Sequence, residues 1–142
     1  MWDQLMATPD VDRLGDVLRD YAALYLGRRC LTLEPRVELR GFWEFNTNIQ
    51  NADEPGCYFL FDANDKLLYA GKASMRSSIG ARVDAHFSWD GEELRPVNSA
   101  WRSAPVYLRT VVVSNPWEAA SLEEYIIHHL NPPFNVAGRS KW

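Results

Sequence analysis

Cysteine is scarce in this chain: Cys30 and Cys57 are the only two in 142 residues. A structural zinc site needs four closely spaced ligands, which this sequence does not offer. An isolated cysteine in such a chain reads as a small buried hydrophobe and not as half of a disulfide. Long apolar runs are missing too. No stretch approaches the ~18 consecutive apolar residues that a membrane span requires. The opening MWDQLMATPD has neither the basic start nor the apolar run of a secretion signal. These absences point to a cytoplasmic protein with no membrane partner. No glycine-rich phosphate loop and no nucleophile elbow occurs. An excess of positive charge is also lacking. Fifteen Lys and Arg stand against 19 Asp and Glu, a net charge of −4, with pI ≈ 5.3, which argues against a strongly basic nucleic-acid binder. The imbalance is local, however. Residues 1–27 hold Asp3, Asp10, Asp12, Asp16 and Asp20 against Arg13 and Arg19 only. The rest of the chain is close to neutral and leaves room for a local basic surface.

What is present is enough for one globular domain. Hydrophobic residues make up 46% and charged residues 24%, an ordinary balance for a single core. Residues 9–26 predict an amphipathic helix, because Val11, Leu14, Val17, Leu18, Tyr21, Leu24 and Tyr25 recur at helical spacing. Thr8 suits the N-cap, Pro9 the first helical position and Gly27 the position past the end. Residues 28–54 are irregular, with short strand-like pieces at Cys30–Leu33 and Val37–Leu39 and an aromatic run at Phe42–Phe45. Residues 57–70 predict a β-hairpin: Cys57–Phe61 goes out, Asp62-Ala63-Asn64-Asp65 turns, and Lys66–Ala70 returns. Residues 78–87 predict a short helix, Ser88–Ala104 a loop, and Val106–Val113 a strand. Asn115-Pro116-Trp117-Glu118 opens a last helix that runs to about Leu130. Asn131-Pro132-Pro133 stops it. A hairpin, one further strand and packed helices make a small α/β (α+β) fold.

Polar residues stand where this fold would want apolar ones. The inward stripe of the last helix is Ala119, Leu122, Ile126, Ile127 and Leu130. Glu123 lies on that stripe, and Glu124 lies off it. A carboxylate facing inward is costly unless it is paired or binds a metal. Arg82 and His86 are four residues apart and share a helix face, a pairing suited to phosphate recognition and proton handling. The hairpin adds Tyr58, Tyr69 and Lys72.

Read in order, Pro55-Gly56-Cys57-Tyr58, Tyr69-Ala70-Gly71-Lys72-Ala73, Ile79-x-x-Arg82-Val83-x-x-His86-Phe87, Glu118-Ala119-x-x-Leu122-Glu123 and Pro132-Pro133-Phe134-Asn135 resemble the GIY-YIG nuclease family. The resemblance runs from Pro55 to Asn135. It implies a small, mainly antiparallel three-stranded sheet flanked by helices. It divides one domain, residues 1–142, into an N-terminal extension (1–54) and a catalytic core (55–137). It also implies a metal-dependent endonuclease that hydrolyses DNA phosphodiesters by in-line attack of water, leaving 5′-phosphate and 3′-hydroxyl ends.

By position in these motifs, Tyr58, Tyr69, Arg82, His86 and Glu123 become the catalytic set. Glu123 becomes the ligand of one Mg²⁺ or Mn²⁺, and Lys72, Arg76 and Asn135 become nucleic-acid contacts. The metal would polarise a phosphate oxygen, and Arg82 would neutralise charge on the phosphorane. The stretch from Lys72 to Arg82 is longer than the family pattern, which makes Arg76 a rival for the catalytic arginine; the helix context of Ile79, Val83 and Phe87 favours Arg82. Tyr58 is favoured as general base, with Tyr69 close behind and His86 as relay partner, since a free phenol has a pKa of ~10. The acidic first helix is expected on the side away from the DNA. Residues 1–54 carry no helix-turn-helix or zinc signature, so targeting would fall to a protein partner. The alternative is a catalytically silent nucleic-acid-binding or partner-docking module on the same fold.

Overall fold

The computed structural model describes residues 8–135. Helix α1 (Asp10–Tyr25) buries Leu14, Leu18, Tyr21 and Ala22, the apolar stripe read from the spacing. It starts one residue later than expected. Pro9 is the N-cap and its carbonyl accepts from the amides of Asp12 and Arg13, with no side-chain cap. Gly27 follows the last turn at φ +64°, the left-handed position that favours glycine there. The two-residue strand β1 (Val37–Glu38) leads into the short helix α2 (Arg40–Glu44), so Phe42 and Trp43 are helical.

The hairpin forms as predicted. Strands β2 (Gly56–Phe61) and β3 (Leu67–Ala73) pair antiparallel, with Tyr58 opposite Gly71 and Leu60 opposite Tyr69. Asp62 builds the turn: its Oδ1 accepts from the amides of Asn64 and Lys66, the aspartate turn chemistry expected of this segment. Helix α3 (Ile79–Asp84) follows. The expected loop after it contains a small hairpin, β4 (Phe87–Trp89) with β5 (Leu94–Pro96). Asp90 turns it by accepting from the amides of Glu92 and Glu93. Strand β6 (Tyr107–Val112) returns beside β2. Helix α4 (Glu118–Leu130) ends at Asn131 in the left-handed conformation, and a 3₁₀ turn (Pro133–Asn135) closes the described chain. At the start of α4 the Glu118 carboxylate reaches back to the Asn115 amide at 2.9 Å, half of a capping box.

The main sheet has four strands in the order β1-β6-β2-β3, every pair antiparallel. The expected count of three omitted β1, whose Val37 and Glu38 pair with Leu108 and Tyr107. Strand β2 is central and buried throughout, as its unbroken apolar run requires.

Two cores lie on the two faces of this sheet. Cys57, Phe59, Ala70 and Val111 pack on one side against α1 (Leu14, Leu18, Tyr21) and α4 (Ala119, Leu122, Ile126). Tyr58, Leu60, Ala73 and Leu108 pack on the other side against α3 (Ile79, Val83), Phe87 and Trp101. Alternation along β2 thus sends Tyr58 to the face away from α1. Tyr21 also donates its hydroxyl to Ser121 Oγ at 2.9 Å, tying α1 to α4. Both cysteines are free, Cys57 buried and Cys30 exposed. No helix among the described residues is long and apolar enough to cross a membrane.

Candidate active site

The site forms around β3, an edge strand of the sheet. Tyr58 is completely buried, and its hydroxyl lies 2.7 Å from Nε2 of His86. Its ring lies across Gly71. A Cβ on that glycine would sit 2.4 Å from the Tyr58 hydroxyl and 2.3 Å from Cζ, so only glycine leaves the phenol this path. Tyr69 projects to the same face of the sheet but is only half-buried. The Tyr58 and Tyr69 rings are 6.2 Å apart, and Tyr69 meets His86 edge-on at 4.9 Å.

His86 lies just past α3, not within it. Its amide donates to the Val83 carbonyl and its carbonyl accepts from the Val97 amide, so the turn that ends α3 fixes the His86 backbone. The helix itself is capped by Ser78, whose hydroxyl accepts from the Ala81 amide. That cap explains the long segment after Lys72. Met75 and Arg76 form a turn, with Arg76 at φ +64°, and the helix starts afresh after Ser78 with Arg82 in its last turn. Arg82 is exposed and makes no ion pair with a described residue. Its charge acts on Tyr58, Tyr69, His86 and Glu123. Arg76 is exposed and exerts no comparable effect on these groups.

Glu123 approaches from the other side of β3, on α4. It is half-buried, whereas Glu124 is exposed, the distinction the stripe predicted. Lys72, at the register position opposite Cys57, acts on Glu123 from the same side of the strand. Glu123 has no hydrogen bond to a described residue. Asn135 clamps the edge of β3: its Oδ1 accepts from the Ala70 amide at 2.8 Å and its Nδ2 donates to the Ala70 carbonyl at 2.9 Å. Both ends of the Asn135 amide are therefore committed to the backbone next to Tyr69.

Burial sets the electrostatics. It raises the Tyr58 phenol far above its ordinary value, with Tyr69 and Glu123 adding to the rise and Arg82 opposing it. Tyr69 is also raised, first by burial and then by Glu123, while Arg82 and the neighbouring Tyr58 hydroxyl pull it down. His86 is pushed down to about 4 by burial and by Arg82, so its imidazole is neutral near pH 7. Glu123 is raised by burial and Glu124, and held back by Lys72 and Arg82. A carboxylate in this state gains from a cation. Among the described residues no three His, Cys, Asp or Glu side chains converge, and Glu123 is the half-buried carboxylate that faces this site. A hard cation that keeps water and phosphate oxygens as its other ligands fits such a donor set.

One residue of this site escaped the sequence reading. Trp101, in the loop before β6, stacks on His86 (centroids 5.2 Å, interplanar 21°) and on Phe134 (5.0 Å, 19°), and leans on Tyr69 at 5.2 Å. It lies outside any periodic pattern, so only its aromatic character in a polar loop marked it. The clefts lined by Asp10 and Pro133, and by Glu38 and Val106, lie elsewhere and carry none of this chemistry.

Comparison with known proteins agrees with this arrangement. The profile of the UvrC-like GIY-YIG domain matches residues 54–136. UvrABC system protein C of Pseudomonas aeruginosa (strain LESB58) is 35% identical over 85 residues, which is 60% of this chain and 13% of that protein. The Wolinella succinogenes protein of the same name is 34% identical over 89 residues, 59% of this chain and 14% of its own. The match therefore covers about one seventh of these relatives. With its motifs, its tyrosine-lined edge strand and this profile match over more than half its length, the chain belongs to the GIY-YIG nuclease family, in its UvrC-like branch.

Proposed function

We propose that the chain is a metal-dependent endonuclease that hydrolyses a DNA phosphodiester. The observation that carries this reading is the meeting of unlike chemistries at one edge strand. Two tyrosines and a neutral histidine occupy one side, a half-buried carboxylate and a lysine the other, and a free arginine acts on both. A phosphodiester needs these functions together: charge neutralisation, a metal ligand and a route for the proton of the attacking water.

In this reading Glu123 holds one Mg²⁺ or Mn²⁺, which supplies Lewis-acid polarisation of a phosphate oxygen and stabilisation of the leaving 3′-oxygen. Arg82 places its guanidinium on the non-bridging oxygens and stabilises the charge that grows there. Lys72 and Arg76 meet the backbone on either side of the scissile phosphate. Tyr69 takes the proton of the water as a phenolate, its own phenolic proton having first been lost to solvent, a role given to it ahead of Tyr58 because of the two it reaches the surface. The Tyr58 hydroxyl lowers the cost of ionising Tyr69 and is itself held by His86 Nε2, so the Tyr69 phenolate that accepts the proton is steadied by Tyr58 and, through it, by His86. Asn135 positions Tyr69 by clamping the Ala70 backbone. The products are 5′-phosphate and 3′-hydroxyl ends.

The test is cleavage of supercoiled plasmid and of branched, nicked and linear duplexes with Mg²⁺ or Mn²⁺. Metal-dependent strand scission that chelator abolishes supports the reading. DNA binding without scission by any of these substrates would overturn it and favour a silent binding module.

A further inference from the structure

Trp101 belongs to none of the motifs that define the family resemblance, yet its ring meets Tyr69, His86, Phe87 and Phe134. Its indole is 7% exposed and lies between the His86 imidazole and the Phe134 ring, nearly parallel to both. The three stacked rings come from three separate segments: the turn after α3, the loop before β6 and the closing 3₁₀ turn. The indole also rests on the flank of Tyr69. Its Nε1–H is buried and has no hydrogen-bond partner among the described residues. Burying such a donor is unfavourable, and a Leu would fill a packing role without that cost. What a large flat ring adds is a plane.

The imidazole needs that plane. A histidine side chain has two torsions, and the ring torsion is broad. The Tyr58 hydroxyl meets one edge of the ring at 2.7 Å, and a rotation of the ring about its axis would break this contact. Tyr69 bounds the imidazole edge-on at 4.9 Å and Phe87 at 6.4 Å. Neither lies parallel to it. Among the described residues only Trp101 does, at 21°. The other groups that bear on His86 are Tyr58 from β2, Tyr69 from β3, Phe87 from β4 and Arg82 from α3; Tyr58 holds one edge of the ring, and Trp101 supplies the flat face that keeps that edge in place.

We propose that Trp101 is a positioning residue for the proton relay: stacked between His86 and Phe134, it holds the imidazole in the plane that keeps Nε2 on the Tyr58 hydroxyl. The inference concerns the arrangement of the site and rests on the nuclease reading only for its kinetic consequence. Loss of the flat face frees the imidazole, exposes it to water and returns it toward an ordinary titration.

The experiment compares Trp101→Phe and Trp101→Leu with the wild-type full chain. Leu fills volume without a plane; Phe restores the plane. The first readout is the ¹⁵N and ¹³C signals of the His86 imidazole through a pH titration, assigned with His86→Gln. Trp101→Leu should raise the His86 midpoint toward ~6.5, the ordinary histidine value, and scramble its ring-nitrogen tautomer. Trp101→Phe should stay near the wild-type curve. The second readout is DNA cleavage. Trp101→Leu should lose roughly 10–10²-fold in kcat with little change in KM, the scale of a small misplacement at a reacting centre, and Trp101→Phe should recover most of it. Wild-type titration and tautomer in a folded Trp101→Leu protein would overturn the proposal. So would equal defects in Leu and Phe. Absence of cleavage by the wild type would sink the nuclease reading, while the imidazole signals would still decide this inference.

Discussion

The Tyr58 hydroxyl contacts Nε2 of His86 at 2.7 Å in a pocket where the phenol is wholly buried and the imidazole is held neutral. That one contact joins the first family motif to the turn after α3. It exists because Gly71 leaves the Tyr58 ring space to cross β3. The neutrality of the imidazole has a cost that depends on pH.

Stability should fall as pH drops from the ordinary histidine value, 6.5, to about 4. In this window the unfolded chain takes up a proton at His86 and the folded chain does not, so acid favours unfolding. Below the window both states are protonated and this dependence ends. Glu123 acts in the opposite sense: its raised value means that the folded state keeps a proton longer as pH rises. The difference between wild type and His86→Gln isolates the histidine. Thermal melts of the two between pH 4 and 7 should converge toward the acid end. Parallel curves throughout would show that His86 titrates normally in the fold.

Tyr69→Phe should remove most turnover, on the ~10²–10⁴-fold scale of a lost general base. Tyr58→Phe should cost less and should shift the alkaline limb of the pH–rate profile, because it removes the hydroxyl that lowers the Tyr69 phenol. Single-turnover cleavage separates the two. A larger loss in Tyr58→Phe than in Tyr69→Phe would reverse the roles.

Glu123→Gln should abolish metal-dependent cleavage and leave the melting temperature equal or higher. Burial works against the Glu123 carboxylate, so a neutral isostere relieves the fold while it removes the metal ligand. Glu124→Gln, at an exposed position, should change neither. Binding of Mn²⁺ by isothermal titration should be lost in Glu123→Gln alone. A destabilised but active Glu123→Gln protein would mark the residue as structural.

The contrast between these glutamates was legible in the sequence, because spacing on an amphipathic helix decides which of two adjacent residues faces inward. The hairpin was legible for a similar reason: Asp62 carries its own turn chemistry. The tyrosines were placed by motif, since strand alternation alone does not say which face holds a site. The small β4–β5 hairpin was missed although Asp90-Gly91 between Trp89 and Leu94 carried a turn signal; its strands are three residues each and contain a proline. Two-residue β1 gave too short a pattern to count as a strand. The end of α3 was drawn too late because Val83 and Phe87 share helical spacing, while Phe87 opens β4. Trp101 was beyond reach for a deeper reason. Its partners His86 and Phe134 are distant along the chain, and no local period encodes a stack among loops.

Arg82→Ala should lower the rate by roughly 10²-fold or more, the scale for one transition-state charge stabiliser. Arg76→Ala should mainly weaken DNA binding and reduce its salt dependence, by about one unit of log–log slope if it neutralises one phosphate. The Ser78 cap supports this division by setting Arg82 on the helix and Arg76 in the turn. Fluorescence anisotropy at several salt concentrations, beside single-turnover rates, tells binding from chemistry. Loss of turnover in Arg76→Ala with a normal Arg82→Ala would exchange the two roles.

The acidic helix should be silent in DNA binding. Asp12, Asp16 and Asp20 are exposed on α1, and α1 packs on the sheet face opposite Tyr58 and His86. Sheet and helix layers lie about 10 Å apart, so these carboxylates stand beyond the Debye length of ~8 Å at physiological salt from a duplex on the tyrosine side. Screening then removes most of their repulsion. The triple variant Asp12→Asn, Asp16→Asn, Asp20→Asn should bind DNA within about 2-fold of wild type at physiological salt, and gain affinity only at low salt, where the Debye length reaches ~30 Å. A large gain at physiological salt would place the helix beside the duplex. A loss of affinity would show that α1 recruits the substrate directly, against its charge, and would require a bridging cation or a basic partner to explain it.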